Sequence, residues 1–177
     1  MKRAAGRGPN INITQGEYAV SDHEGGVITT ILGSCIATCI WDPVRKVGGM
    51  NHILVARSQT SGGTNDYAGV NAMELLINGL VRLGADRTRF NAKVFGGARM
   101  INGLSDIGQS NGSFIVEFLE KEGIPCLGKS LGGNAARQIK FFPSEGRVMQ
   151  RTVAGAPEVL QPVKPPEKPV RNGVELF

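Results

Sequence analysis

The sequence predicts an α+β fold: a layered α/β sandwich with a mixed β-sheet core and two main helices. Short segments rich in β-branched residues stand on both sides of two segments with helical spacing, which is typical of layered α+β domains rather than of a doubly wound Rossmann fold. The chain has 177 residues, of which 41% are apolar and 20% charged. This is the size and composition of one globular domain, because a chain of about 150 residues buries roughly 70% of its unfolded surface.

Three segments in the first third of the chain predict strands. They are short, rich in β-branched residues and separated by turn-forming residues, and they cover residues 27–31, 36–41 and 50–55. If the second and third segments pair as an antiparallel hairpin, Cys35 and His52 come to the same edge of the sheet.

Two amphipathic helices are predicted after these strands. In the first, apolar residues recur at spacings of three and four; we expect it to begin at residue 65 or 66 and to stop at Gly84. The second begins with Asn111 or Ser113 as its cap and stops at Gly123, which precedes an Ile-Pro pair.

The remaining elements are strands, and the chain ends differ from the body. Residues 92–95 predict one strand, and a hairpin is predicted from residues 137–142 and 147–152. Five of the nine prolines lie in the last 21 residues, which favours an extended tail. We expect three regions: a flexible basic N-terminal arm, the folded domain and a Pro-rich flexible tail, at residues 1–14, 15–153 and 154–177.

The charge and the apolar pattern exclude several classes of protein. Of the formal charge of +5, residues 1–10 contribute +3 and residues 151–177 contribute +1, which leaves no basic stripe for nucleic acid. No segment has the roughly 18 apolar residues of a membrane span, and the N-terminus lacks the apolar region of a signal peptide. Three cysteines are too few and too scattered for a disulfide framework. We therefore expect a cytoplasmic protein without nucleic-acid binding or membrane insertion.

Two motifs that could bind a ligand lack the sequence context that such binding requires. Residues 123–130 match the letters G-x-x-x-x-G-K-[ST], but the match begins at a predicted helix end, whereas a P-loop follows a strand and opens a helix. We interpret Gly123 as a helix cap and Gly128 as a turn residue. Cys39 shares a strand face with Cys35, but these cysteines and two distant histidines have a poor spacing for zinc. We expect neither a metal nor a cofactor.

Cys35 and His52 are the strongest candidates for chemistry. Cys35 follows a turn of small residues that lets another backbone approach, and a neighbouring histidine raises the thiolate fraction of a cysteine. An inert core cysteine and a satisfied histidine remain the alternative reading. We interpret Cys126 as a packing residue and His23 as part of a solvated loop.

Several motifs together resemble the chemoreceptor glutamine deamidase family (CheD). They occur in the order and spacing of that family over nearly the whole predicted domain: Thr29-Thr30-Ile31-Leu32-Gly33-Ser34-Cys35-Ile36, Trp41-Asp42, Gly48-Gly49-Met50-Asn51-His52, Lys93-Val94-Phe95-Gly96-Gly97-Ala98-Arg99-Met100, Ile107-Gly108, Asn111, Leu131-Gly132-Gly133 and Arg137. The resemblance implies an amidohydrolase of bacterial chemotaxis that converts particular glutamines of methyl-accepting chemoreceptors to glutamate, with release of ammonia through a cysteine thioester.

The resemblance also implies roles for individual residues and a second partner. Cys35 matches the family's nucleophile, His52 its general base and Thr29 the residue that orients the histidine. Backbone N–H groups around Gly33 and Ser34 are candidates for binding the substrate oxyanion. The second implied partner is a CheC-type phosphatase, which leaves a non-catalytic adaptor of that phosphatase as the alternative function.

Overall fold

The computed structural model describes residues 8–55, 66–100 and 107–153. Its strands and helices, in chain order, are β1 (Asn10–Asn12), β2 (Tyr18–Ser21), β3 (Val27–Leu32), β4 (Ile36–Asp42), β5 (Val47–Ile53), α1 (Asp66–Arg82), a short 3₁₀ helix (Arg87–Arg89), β6 (Asn91–Gly96), α2 (Ile107–Lys121), β7 (Cys126–Leu131), β8 (Arg137–Phe142) and β9 (Arg147–Thr152).

The described strands form two sheets, and both are mixed. The four-stranded sheet has the order β1-β3-β8-β9, and the five-stranded sheet has the order β2-β5-β4-β6-β7. In each sheet one pair is parallel, β1 with β3 and β6 with β7, and the other pairs are antiparallel. The predicted α+β sandwich with a mixed sheet core and two helices is confirmed.

The molecule has three layers, with the five-stranded sheet in the middle. Every residue of β4 and β5 is buried, because the other sheet covers one face and the helices cover the opposite face. Along β4, Ile36 and Ile40 belong to the core beneath the helices, whereas Ala37 and Cys39 belong to the core between the sheets. The alternation of side chains along the strand thus divides one apolar segment between two cores.

The helices agree with their apolar spacing, but α2 begins earlier than predicted. The buried stripe of α1 faces the five-stranded sheet, and the helix terminates before Gly84, whose φ of 88° suits glycine. Our expectation that Asn111 or Ser113 caps α2 is wrong, because the helix starts at Ile107 and Asn111 is fully buried inside it.

A buried carboxylate holds the end of the β4–β5 hairpin. Asp42 has no solvent exposure and accepts hydrogen bonds from the backbone N–H groups of Val44, Arg45 and Asp86. Arg89 donates to both of its carboxylate oxygens. Burial alone would raise the pKa of Asp42, but Arg89 and the N–H donors outweigh burial and hold it well below its usual range.

Residues 8–14 are part of the folded domain, so the expectation of a flexible arm over residues 1–14 is wrong for this stretch. β1 pairs in parallel with β3, and the N–H of Ile13 donates to the carbonyl of Thr29 at 2.9 Å. The alternating Asn-Ile-Asn-Ile sequence turns Ile11 and Ile13 toward the core between the sheets. Residues 1–7 and the predicted tail at 154–177 lie outside the described residues.

The segment with the P-loop letters connects a helix to a strand. Gly123, with a φ of 67°, ends α2, which confirms it as a helix cap. The segment continues into β7, so the interpretation of Gly128 as a turn residue is wrong: it pairs with Lys93 in the sheet. Among the described helices, none is long and apolar enough to cross a bilayer.

Candidate active site

Cys35 lies where the chain crosses from one sheet to the other. β3 ends in the four-stranded sheet, β4 begins in the five-stranded sheet, and Gly33-Ser34-Cys35 connects them. The carbonyl of Gly33 accepts from the N–H of Ala98 at 3.0 Å, and the carbonyl of Cys35 accepts from the N–H of Gly97 at 2.9 Å. These hydrogen bonds hold the crossover at the edge of the sandwich.

Gly96 allows the backbone to approach the crossover this closely. A Cβ atom at Gly96 would lie 2.1 Å from the carbonyl oxygen of Cys35, and the φ of Gly96 is 115°. Both facts exclude a side chain at this position.

Asn111 connects the crossover to the end of β5. Its Nδ2 donates to the carbonyl of Ser34 at 3.0 Å, and its Oδ1 accepts from the N–H of Val55 at 3.0 Å. Because Asn111 has no solvent exposure, these two backbone groups rely on it rather than on water. From the sequence, Asn111 was expected only to cap α2 and to form part of the motifs that resemble the CheD family.

The structure brings Cys35 and His52 into one cavity. His52 pairs with Ala37, two residues from Cys35 along the chain, so both side chains leave the five-stranded sheet on the face toward the other sheet. Each residue is 6% exposed. Both line a cavity of about 310 Å³, to which residues from Asn12 to Gln15 also contribute.

Thr30, not Thr29, contacts the His52 ring. The Thr30 Oγ1 lies 2.7 Å from Nδ1 of His52, whereas the Thr29 hydroxyl donates to the side chain of Asn12 at 3.1 Å. This contradicts the expectation that Thr29 orients the histidine. The reason is strand alternation: Thr29 shares a face with the half-exposed Ile31, and Thr30 faces inward.

The hydrogen bonds of Thr30 determine the tautomer of His52. Thr30 donates its only hydroxyl proton to the carbonyl of Ile13 at 2.8 Å, since a carbonyl oxygen can only accept. The Nδ1 atom of His52 therefore carries the proton and donates it to Thr30 Oγ1. The Nε2 atom keeps its lone pair, as a general base requires.

His52 is neutral at physiological pH. Burial lowers its pKa to about 4, against the opposing effect of the Glu17 carboxylate. The backbone of β5 at His52 is fixed as well: its carbonyl accepts from the N–H of Gly16 at 2.8 Å, and its N–H donates to the carbonyl of Glu17 at 3.0 Å. Ring position and protonation state are thus both determined by the fold.

Gln15 is a residue of the site that sequence reasoning missed. The Cys35 thiol donates to Gln15 Oε1 at 3.7 Å. Gln15 falls at the expected boundary of the domain, and the alternation of Ile11 and Ile13 just before it is the sequence signal that could have extended the folded region.

The crossover also presents donors that could bind an oxyanion. Because the C=O and N–H of a trans peptide point in opposite directions, the hydrogen bond from Asn111 on α2 to the Ser34 carbonyl turns the Cys35 N–H away from the helices. The Ser34 hydroxyl is buried and has no hydrogen-bond partner among the described residues. Gly33 and Ser34, whose role in binding an oxyanion stays a prediction, both line the cavity.

The other cysteines and histidine lie outside the cavity. Cys39 is fully buried, and burial raises the pKa of its thiol, so it is an inert core residue. Cys126 is half-buried and donates to the carbonyl of Gly128 at 3.4 Å, and His23 is exposed in a loop. In the ranges that the structure describes, no three His, Cys, Asp or Glu side chains cluster in a way that could hold a metal ion.

Comparison with known proteins finds one family that the chain resembles over most of its length. Residues 54–152 match the family model described as "CheD chemotactic sensory transduction". Three relatives carry the name "Probable chemoreceptor glutamine deamidase CheD". The protein of Rhizobium johnstonii is 46% identical, covering 97% of this chain and 98% of the relative. That of Caulobacter vibrioides strain NA1000 is 48% identical, covering 97% and 95%, and that of Agrobacterium fabrum is 46% identical, covering 100% and 99%.

Proposed function

This chain belongs to the CheD family, and from that premise we propose that it hydrolyses the side-chain amide of glutamines on chemoreceptors to give glutamate and ammonia. The observation that carries the proposal is the cavity in which the Cys35 thiol and the neutral His52 ring lie on the same sheet face. Its volume of about 310 Å³ suits one side-chain carboxamide, at the low end of ligand pockets.

The first chemical step is attack by the thiol. The Nε2 atom of His52 removes the proton from Cys35, and the sulfur forms a bond to the carbonyl carbon of the substrate glutamine. The carbonyl electrons move onto oxygen, and N–H groups of the crossover donate to this oxyanion. The pKa of about 4 makes His52 a neutral acceptor before the step.

The second step releases ammonia and leaves a thioester. The oxyanion collapses to a carbonyl, the bond between carbon and nitrogen breaks, and His52 gives its proton to the departing nitrogen. The amide nitrogen leaves as ammonia because it has received this proton.

The third step restores the enzyme. His52 takes a proton from water, the hydroxide oxygen bonds to the thioester carbon, and the bond between carbon and sulfur breaks. The sulfur recovers the proton from His52, and the product is the glutamate side chain. Thr30 keeps Nδ1 engaged throughout, so Nε2 is the atom that accepts and returns each proton.

Ammonia release and the mass of receptor peptides test this proposal. We expect purified receptor incubated with the wild-type chain to release ammonia and to gain about 1 Da per converted glutamine. Cys35→Ala and His52→Ala should release ammonia at least a thousandfold more slowly, since each removes one of two residues that act together in catalysis. Cys126→Ala is the matched control and should retain the wild-type rate. Equal release from all four proteins would contradict the enzymatic function.

We further propose the cytoplasm as the location, since Cys35 must remain a reduced thiol to act, and a CheC-type phosphatase as a second partner. Cys35→Ala separates the two functions: retained phosphatase binding with lost ammonia release supports a separate docking role. If neither the wild type nor Cys35→Ala retains the phosphatase in a pull-down at micromolar concentration, the proposal of this partner is wrong.

A further inference from the structure

Gln15 lies on a segment that is hydrogen-bonded to both sheets above the cavity. On its N-terminal side, Ile13 bonds to Thr29 and Thr30 of the four-stranded sheet. On its C-terminal side, Gly16 donates to the carbonyl of His52 in the five-stranded sheet. With the segment held at Ile13 and at Gly16, the backbone of Gln15 has a defined position at the cavity rim.

The side chain of Gln15 reaches from the rim to the nucleophile. Its terminal amide is 3.7 Å from Cys35 Sγ, and Gln15 lines the same cavity as His52. The thiol donates to Oε1 in the resting enzyme. Once the thiol has lost its proton, an acceptor oxygen repels the sulfur and an N–H donor attracts it.

We propose that Gln15 is a catalytic residue whose Nε2 atom donates a hydrogen bond to the oxyanion; this inference rests on the proposed deamidation. A half turn about the terminal torsion exchanges Oε1 and Nε2, and this torsion has a broad, roughly two-fold profile. The exchange brings the donor to the position that Oε1 occupies beside Cys35.

The position of the Gln15 amide suits the geometry of the intermediate. The oxyanion is bonded to the carbon that carries Sγ, so it lies within about 3 Å of the sulfur. An amide atom 3.7 Å from Sγ is therefore close enough to lie at the donor distance of about 2.7 to 3.1 Å when the oxyanion is on the Gln15 side of the sulfur. Glutamine side chains are established oxyanion donors in acyl-transfer enzymes, and the Cys35 N–H supplies a second donor from the crossover.

The same contact allows a different outcome, in which Cys35 attacks Gln15 itself. Residue 15 would then become glutamate and gain about 1 Da, and the carboxylate would oppose the oxyanion. If Gln15 donates to the oxyanion, residue 15 must remain a glutamine. The mass of the peptide that contains residue 15 distinguishes a donor from a substrate.

The test compares Gln15→Met, which keeps the length of the side chain and removes the donor, with Gln150→Met, the same change at an exposed residue of β9. With receptor as substrate, we expect kcat of Gln15→Met to fall about 10² to 10³-fold, as for other single oxyanion donors, with KM changed less than threefold. The alkylation rate of Cys35 by iodoacetamide should fall far less than kcat, by about tenfold at most, because Gln15 offers the thiolate one hydrogen bond and displacement at a saturated carbon develops no oxyanion. Gln150→Met should match the wild type in all three measurements.

Three results would overturn the role of Gln15: a kcat within threefold of the wild type, an alkylation rate that falls as far as kcat, or a gain of 1 Da at residue 15 that requires Cys35. The ammonia released by the wild type, compared with that released by Cys35→Ala, tests the proposed deamidation itself. If the wild type is active and Gln15→Met is unimpaired, only the role of Gln15 is rejected. If the wild type releases no more ammonia than Cys35→Ala, the proposed function and the role of Gln15 are both rejected.

Discussion

Replacing Thr30 by valine removes one hydroxyl oxygen and keeps the branched shape of the side chain. Two buried groups lose their partner: the carbonyl of Ile13 at 2.8 Å and Nδ1 of His52 at 2.7 Å. Each unsatisfied group costs about 1 to 3 kcal/mol. We therefore expect Thr30→Val to lower the free energy of unfolding by about 2 to 6 kcal/mol, measured by urea denaturation.

The effect on catalysis should be larger than the effect on substrate binding. Without the Thr30 oxygen, the His52 ring is free to rotate or to carry its proton on Nε2, and a ring in that tautomer cannot accept the proton of Cys35. Loss of a charged orienting group in a comparable triad costs about 10⁴-fold, and a neutral hydroxyl should contribute less. We expect a fall of about 10²-fold in kcat with KM changed less than threefold.

Two matched variants separate orientation from general damage. Thr30→Ser retains the hydroxyl and should recover most of kcat, whereas Thr29→Val removes the neighbouring hydroxyl on the outer face and should leave kcat within threefold. Ammonia release at 10 °C below the melting temperature of each variant gives the comparison. If Thr29→Val loses as much activity as Thr30→Val, or if Thr30→Val is fully active, the orientation argument is wrong.

Three further predictions concern pH and the supports of the site. His52 has a folded pKa of about 4 and an unfolded pKa of about 6.5, so the unfolded chain binds more protons between these pH values. Lowering the pH from 6.5 to 4 should therefore remove about 3 kcal/mol from the free energy of unfolding. In His52→Gln this part of the pH dependence should be absent from urea titrations. Asp42→Asn weakens the buried contact with Arg89 and should cost about 2 to 3 kcal/mol, while kcat at 15 °C stays unchanged. Asn111→Leu removes the donor to the Ser34 carbonyl and should lower both the melting temperature and, about tenfold or more, kcat; an unchanged kcat would show that the crossover needs no such support.

Local sequence patterns predicted most of the fold. The hairpin of β8 and β9 has the predicted bounds, and α1 differs little from its prediction, because turn residues and helical spacing are encoded within a few neighbours. α2 starts earlier than predicted, and Asn111 satisfies backbone groups on other elements rather than those of its own helix end. That role depends on contacts far apart in sequence, which no local pattern contains.

The candidate site was predicted in part for the same reason. Hairpin geometry alone placed Cys35 near His52, and both line the cavity. The choice between Thr29 and Thr30 depended on which face of β3 meets the other sheet, and a shift of one residue reverses every side chain. Gln15 was missed because its segment reaches the cavity only through hydrogen bonds to strands of both sheets.

The contact between Thr30 and His52 joins side chains that come from different sheets. Any sliding of one sheet over the other that changes this 2.7 Å contact by an ångström alters the acidity and aim of the ring, although the strands themselves remain intact. The rate of turnover therefore depends on how the two sheets are aligned. On warming or in mild denaturant, turnover should decline before far-ultraviolet circular dichroism shows any loss of β-strand.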